Sequence, residues 1–203
     1  QVTTLDFFDN INGGKNVAIV GGVGAGKSTL LQEIAAAYAS RGALVRVFEA
    51  GRSFERLTGR IGGQFVRFTH DARICVNPFS LVSEPQEIDG ELCGGIDDDV
   101  AVLQPLLAKM ASPHESLDPA IYATLATVIK EEYLLKGRSM TVTDVMRRYR
   151  AGRLYEDRPV DQRYLDMADM LAPFAADGPY AAYFEGEATL DFSNDFLVFE
   201  MQE

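Results

Sequence analysis

Residues 17–39 read VAIVGGVGAGKSTLLQEIAAAYA, and this stretch decides the fold. An apolar run leads into glycines, then a lysine and two hydroxyls, then an amphipathic segment. Residues 21–28 carry the spacing G-x-x-x-x-G-K-S, with Gly21, Gly26, Lys27 and Ser28 at the fixed positions. Phosphates that lie against backbone N–H groups leave no room for side chains, so glycines are needed there. A helix opening at Lys27 adds free amides and the positive end of its dipole. Lys27 is expected to reach the β and γ phosphates, and Ser28 to give its hydroxyl oxygen to Mg²⁺. Thr29 supplies a further hydroxyl at the helix N-terminus. The candidate nucleotide-binding set is Gly21, Gly22, Val23, Gly24, Ala25, Gly26, Lys27, Ser28 and Thr29, and the implied ligand is ATP with Mg²⁺. A glycine turn can match the spacing by chance; the apolar run before it and the helical period after it separate the two readings.

Working outward, residues 15–20 read as a short buried strand. Leu30, Leu31, Ile34, Ala37 and Tyr38 recur at threes and fours, which predicts a helix from 27 to about 40, stopped by Gly42. ALVRVFEA follows as a strand, completing a βαβ unit and implying a parallel sheet. GRSFERLTGRIGGQFVRF predicts a short helix, a glycine turn and a strand at 64–68. RICVNPFSLV predicts a strand or extended segment halted at Asn77-Pro78. Residues 83–99 are polar, acidic and glycine-containing, and read as a linker or mobile loop.

From 100 to about 175 the pattern turns helical. DVAVLQPLLAKMA carries a kink or restart at Pro105. Asp118 and Pro119 open a helix that Gly137 closes. Thr141 with Asp144 forms a capping-box-like start, and DQRYLDMADMLAPF is a fourth helix whose Leu165, Met167, Met170 and Leu171 read as core. DGPYAAYFEGE is a turn with aromatics, and FSNDFLVFEMQE is a last strand that Met201 and Gln202 continue. The expected organisation is an α/β core over 1–82, an acidic linker over 83–99, an inserted helical subdomain over 100–176 and a return to the core over 177–203.

The 203 residues are 47% apolar and 24% charged, ordinary for a soluble globular protein. No apolar run approaches the ~18–20 residues that span a bilayer, and QVTTLDFFDN has no signal-peptide pattern. The missing initial Met and the strand-like end suggest a fragment of a longer protein. Cys75 and Cys93 lack metal or C-x-x-C spacing and read as free thiols in a reducing cytosol. His70 and His114 stand in no ligand pattern. The net charge of −11 disfavours tight nonspecific nucleic-acid binding. The local exception, MRRYRAGRL with Arg147, Arg148, Arg150 and Arg153, is either a solvated helix end or a contact surface.

Hydrolysis also needs a carboxylate at a strand end. Two strands come close: LVRVFEA offers Glu49 and DFLVFEMQE offers Glu200. Either is an acid beside the phosphates or a strand-end carboxylate facing solvent. The solvent reading is the stronger for Glu200, while Glu49 stands where strand ends point into the ligand crevice. Lys27 and Glu49 are therefore the candidate catalytic residues.

VAIVGGVGAGKS, FEAGRSFERL, GGQFVRF with VNPFSLV, and YFEGEATLDFSNDFLVFEM fall in the order seen in TraC-like conjugative-transfer ATPases of type IV secretion systems, and the chain resembles that family over nearly its whole length. The loop is shared with many NTPases; the GRSFERL, GGQFVRF and NPF series is more specific. The resemblance implies a RecA-like P-loop NTPase fold, an α/β parallel sheet with an inserted all-helical subdomain, from the C-terminal part of a longer protein. It implies oligomers, often hexamers, in the bacterial cytoplasm at the inner membrane, docked on inner-membrane secretion components and powering pilus assembly and substrate transfer. Glu49 stands where that family usually has Asp, and Arg52 and Ser53 match its Gly-Arg-Ser motif. The family's Asp-Glu Walker B strand is not among these 203 residues; by the resemblance it lies beyond them, Glu200 is not the catalytic acid, and this segment hydrolyses poorly. Two alternatives stay open: a DNA-pumping translocase of the HerA and FtsK type, which the acidic balance weighs against, and a nucleotide-binding docking module without hydrolysis. A small-molecule kinase is disfavoured, because the sequence offers no lid-like arginine series or acceptor site.

Overall fold

The computed structural model describes residues 16–69, 74–88, 90–190 and 192–201. Along the chain lie α1 (Lys27–Ala39), β1 (Val45–Glu49), α2 (Glu55–Ile61), β2 (Gln64–Arg67), β3 (Gln86–Ile88), β4 (Glu91–Cys93), α3 (Ile96–Ala111), α4 (Pro119–Lys136), α5 (Val142–Arg150), α6 (Gln162–Leu171), α7 (Ala181–Phe184) and β5 (Phe196–Glu200). Contacts divide it into two units, Gln1–His70 with Phe192–Glu203, and Asp71–Asp191. The second unit thus includes residues 71–82 and 177–191, which the sequence alone groups with the α/β core.

The first unit is built on a parallel sheet of order β1-β5-β2. The strand that comes last in sequence lies in the middle, and every residue of FLVFE is buried. Such an unbroken apolar run marks a parallel strand covered on both faces. Phe196 and Val198 pack with Phe54, and Ala35 and Ala39 of α1 close over them. β2 approaches β5 this closely because residue 63 is glycine. A Cβ there would stand 2.8 Å from the Phe196 carbonyl oxygen and 2.9 Å from its ring. That accounts for the second glycine of GGQFVRF.

Two expectations fail in this unit. Residues 16–20 form no strand. A strand exists only through a ladder partner, and among the described residues nothing pairs with this segment, leaving Val17 and Val20 exposed at 55% and 94%. Lys15 lies outside the described residues. β5 stops at Glu200 rather than continuing, with Met201 exposed and its N–H donated to the Glu49 carbonyl at 2.8 Å; Gln202 is outside the described residues.

The second unit packs α3 on α4 and α5 on α6. Its core gathers Phe79, Leu107, Leu125, Ile129, Val145, Tyr149, Met167 and Leu171, all essentially inaccessible. The helix signals read as expected. Asp118 Oδ1 accepts from the N–H groups of Ala120 and Ile121, Gly137 ends α4, and Asp144 accepts from Thr141 N at 3.0 Å and from the Lys136 ammonium. Pro105 sits inside an unbroken α3.

The acidic segment is not a linker. It holds the antiparallel β3–β4 hairpin and the start of α3. Asp97, Asp98 and Asp99 fill that helix's first turn, where carboxylates meet its positive end. Asp98 accepts from Gly94 N and Asp99 from Ser83 N and Oγ. A charge run at a helix start looks the same in sequence as one in a loop. Met170 is 42% exposed and so leaves the predicted core stripe. DGPYAAYFEGE contains the short α7.

Asn77 explains the NPF motif. Its fully buried amide donates to the carbonyls of Met140 (2.8 Å) and Gly186 (2.7 Å), and its Oδ1 accepts from Phe79 N. It thereby ties three distant parts of the unit while capping the 3₁₀ turn Pro78–Leu81. Two arginines of α5 are also engaged: Arg148 lies between Glu131 and Glu132 of α4, and Arg150 reaches Asp169 of α6 at 2.5 Å. Cys75 and Cys93 are free thiols and His114 is exposed; His70 lies outside the described residues.

Asn77→Ala strands the buried Met140 carbonyl and Phe79 amide and loses the bond to the Gly186 carbonyl. It is expected to cost about 3 kcal/mol in the unfolding free energy, read by chemical denaturation. Burial, eased only in part by Thr124, pushes the Tyr149 hydroxyl from 10.0 up to about 12. A raised pKa adds stability that is complete below the unfolded value and is lost as pH climbs toward about 12. Denaturation midpoints should therefore fall across that window in the wild type, and less in Tyr149→Phe.

Candidate functional site

The glycine loop ends where α1 begins. Gly26 takes the left-handed conformation at φ 84° and caps the helix, and Gly24 has φ 80°. Both are conformations that a side chain would strain. The first bond within α1 runs from Leu30 N to the Gly26 carbonyl at 2.9 Å. The N–H groups of Lys27, Ser28 and Thr29 precede it and point out of the helix start. No acidic side chain occupies that first turn. Lys27 folds back on the loop, its ammonium donating to the carbonyls of Gly21 (2.7 Å) and Gly22 (2.8 Å). The hydroxyls of Ser28 and Thr29 stand on exposed residues. A cation, free amides and hydroxyls converging on one turn are a donor set that fits a phosphate-bearing ligand.

Beside the loop opens a cavity of about 670 Å³ within the first unit. Val17 and Ile19 line it from the extended segment before the loop, Leu31, Ile34, Ala35 and Tyr38 from α1, and residues 43–50 from β1 and its flanks. Ser28, Glu49 and Ser53, with Tyr38 and Arg46, bring polar groups to it. Ser28 and Glu49, separate in the sequence, thus border one space at the carboxyl end of a parallel strand, where ligands of α/β sheets bind.

Glu49 and Glu200 are register partners on neighbouring strands, and both carboxylates bind the turn that follows β1. Glu49 Oε2 accepts from Ser53 N (3.1 Å) and Ser53 Oγ (2.5 Å), and its Oε1 from Phe54 N (3.0 Å). Glu200 Oε1 accepts from Gly51 N at 3.0 Å. Contrary to the solvent-facing reading, Glu200 is 3% exposed. Arg52 projects outward and pairs with Glu55 at 3.3 Å. Gln32, which no motif names, also belongs here. Its amide reaches from α1 to the Ser53 carbonyl at 3.0 Å. The available signal is its spacing, four residues after Ser28 on one helix face.

Residues 4–203 match the family model described as the TraG P-loop domain. The chain is 26% identical over 193 residues to Protein TraC of Escherichia coli (strain K12), covering 92% of this chain and 20% of that protein. Among solved structures it is similar to VirB4 of Thermoanaerobacter pseudethanolicus, with a TM-score of 0.67, 17% identity, and coverage of 97% of this chain and 53% of the other. The chain therefore spans about a fifth of the one relative and about half of the other. The parallel sheet and loop–helix junction are those of a P-loop α/β fold.

Deleting the Ser53 hydroxyl by Ser53→Ala is expected to cost about 1 kcal/mol, an exposed charge-assisted bond being worth less than a buried one. Glu49→Ala, which removes three bonds from the turn, should cost roughly twice that and speed hydrogen exchange at the amides of Ser53 and Phe54. Denaturation with exchange mass spectrometry reads both.

Proposed function

We propose a function from one premise: the chain belongs to the TraG P-loop domain family. It binds ATP with Mg²⁺ as part of a motor ATPase that powers type IV secretion, in conjugative pilus assembly and substrate transfer. The observation that carries the binding half is the convergence of Lys27, Ser28 and free helix amides on one glycine loop. The ammonium of Lys27 exchanges its two loop carbonyls for phosphate oxygens. The amides of residues 24–29 line the phosphate chain, and the Ser28 hydroxyl oxygen holds the cation. When bound, the nucleotide supplies a phosphoryl group whose transfer the cation assists by neutralising charge. Glu49 keeps a carboxylate in the cavity that Ser28 borders.

Hydrolysis is proposed for the whole protein, of which this chain would be one segment. The working form is an oligomer, a hexamer by the resemblance, on the cytoplasmic side of a bacterial inner membrane and docked on secretion components there. Among the described residues no helix is long and apolar enough to cross a membrane, and the charge of −11 gives no electrostatic footing for nucleic acid.

Titration calorimetry with ATP and Mg²⁺ should detect binding that Lys27→Ala weakens by about tenfold or more, about 1.4 kcal/mol. Lack of binding at millimolar nucleotide, or equal affinity in Lys27→Ala, would overturn the reading. Tight DNA binding that falls steeply with salt would favour a DNA-pumping translocase instead.

A further inference from the structure

The turn at 51–54 is held from three elements at once. Glu49 at the end of β1 takes the N–H groups of Ser53 and Phe54 and the Ser53 hydroxyl. Glu200 at the end of β5 takes Gly51 N. Gln32 of α1 donates to the Ser53 carbonyl at 3.0 Å. Ser53 is therefore gripped on both sides, by a carboxylate on its donors and by an amide on its acceptor. Ser28, Glu49 and Ser53 border the same cavity, and Gln32 lies one helical turn beyond Ser28. A carboxylate offers about four acceptor sites. The turn takes three of Glu49's, which leaves Oε1 capacity for one more donor.

We propose that Gln32 is a positioning residue for the nucleotide site: by anchoring the Ser53 carbonyl it fixes the Glu49 carboxylate in the cavity beside Ser28, where its remaining acceptor site receives a water of the hydrated cation. The inference rests on the reading that the loop binds nucleotide with Mg²⁺. Position 32 must supply a donor, because its partner is a carbonyl. Glutamate is nearly isosteric with glutamine but offers only acceptors, whereas lysine keeps a donor. Without the anchor the turn and Glu49 move together, and the cation loses an ordered contact rather than a ligand.

The test measures the Mg²⁺ increment, the ratio of the ATP dissociation constant in EDTA to that in Mg²⁺, for the wild type, Gln32→Leu, Gln32→Glu and Gln32→Lys. The expected result is an increment about threefold or more smaller in the Leu and Glu variants, the worth of one hydrogen bond. The Lys variant should keep it within about twofold, and affinity in EDTA should stay unchanged in the Leu variant. Simple charge predicts the opposite order, because an added carboxylate strengthens cation binding and an added ammonium weakens it. That opposite order would overturn the inference. So would an unchanged increment in all three variants, including one with a shifted melting temperature, which is all that a purely structural contact would move. A wild type that binds no nucleotide would overturn this inference and the function together. Wild-type binding with an unmoved increment would overturn this inference alone.

Discussion

Among the described residues, β5 must reach the middle of its sheet before β1 or β2 has a neighbour. Its five residues return after the whole second unit has been threaded, and they pair with both strands at once. Closing a loop of that length costs entropy that grows only with the logarithm of its size. The burial of Phe196, Leu197, Val198 and Phe199 offsets that cost. The turn after β1 leans on the same event. Glu200 is the last residue of β5, it lies beside Glu49 in register, and it holds Gly51 N. The strand that completes the sheet therefore also fixes one end of the turn beside the loop.

That turn shows what the family-like motifs do physically. In FEAGRSFERL, Glu49 and Ser53 bond to each other across the turn and Phe54 enters the core against Phe196 and Val198. In GGQFVRF, Gly63 permits a backbone approach that any side chain would block. In VNPFSLV, Asn77 ties segments far away in the chain and Phe79 is fully buried. The first two build the unit that carries Lys27 and Ser28, and the third holds the second unit together.

Local signals were legible because their cause is local. The glycine loop, the cap at Asp118 and the stop at Gly137 rest on bonds within a few residues. The failures come from partners far away in sequence or from patterns with two physical causes. The apolar run at 16–20 reads as a strand, yet strands are made by neighbours, and none stands beside it among the described residues. The three aspartates at 97–99 read as a loop because charge repels, although a helix start welcomes it. Within the site, Lys27 and Ser28 could be named from spacing. Gln32 could not, and Glu200, nameable as a strand-end carboxylate, reads as solvent-facing although it is buried, because both act on a turn contributed by another part of the chain.

Central to the proposed function is a phosphate-bearing nucleotide seated on the amides that open α1. Amide chemical shifts of the ¹⁵N-labelled chain, followed while a non-hydrolysable ATP analogue and Mg²⁺ are added, test it directly. The account predicts the largest shifts at residues 24–29, smaller ones at 49–54, and none across the core of the second unit. Shifts confined to the second unit, or no saturable shift at residues 24–29, would contradict it.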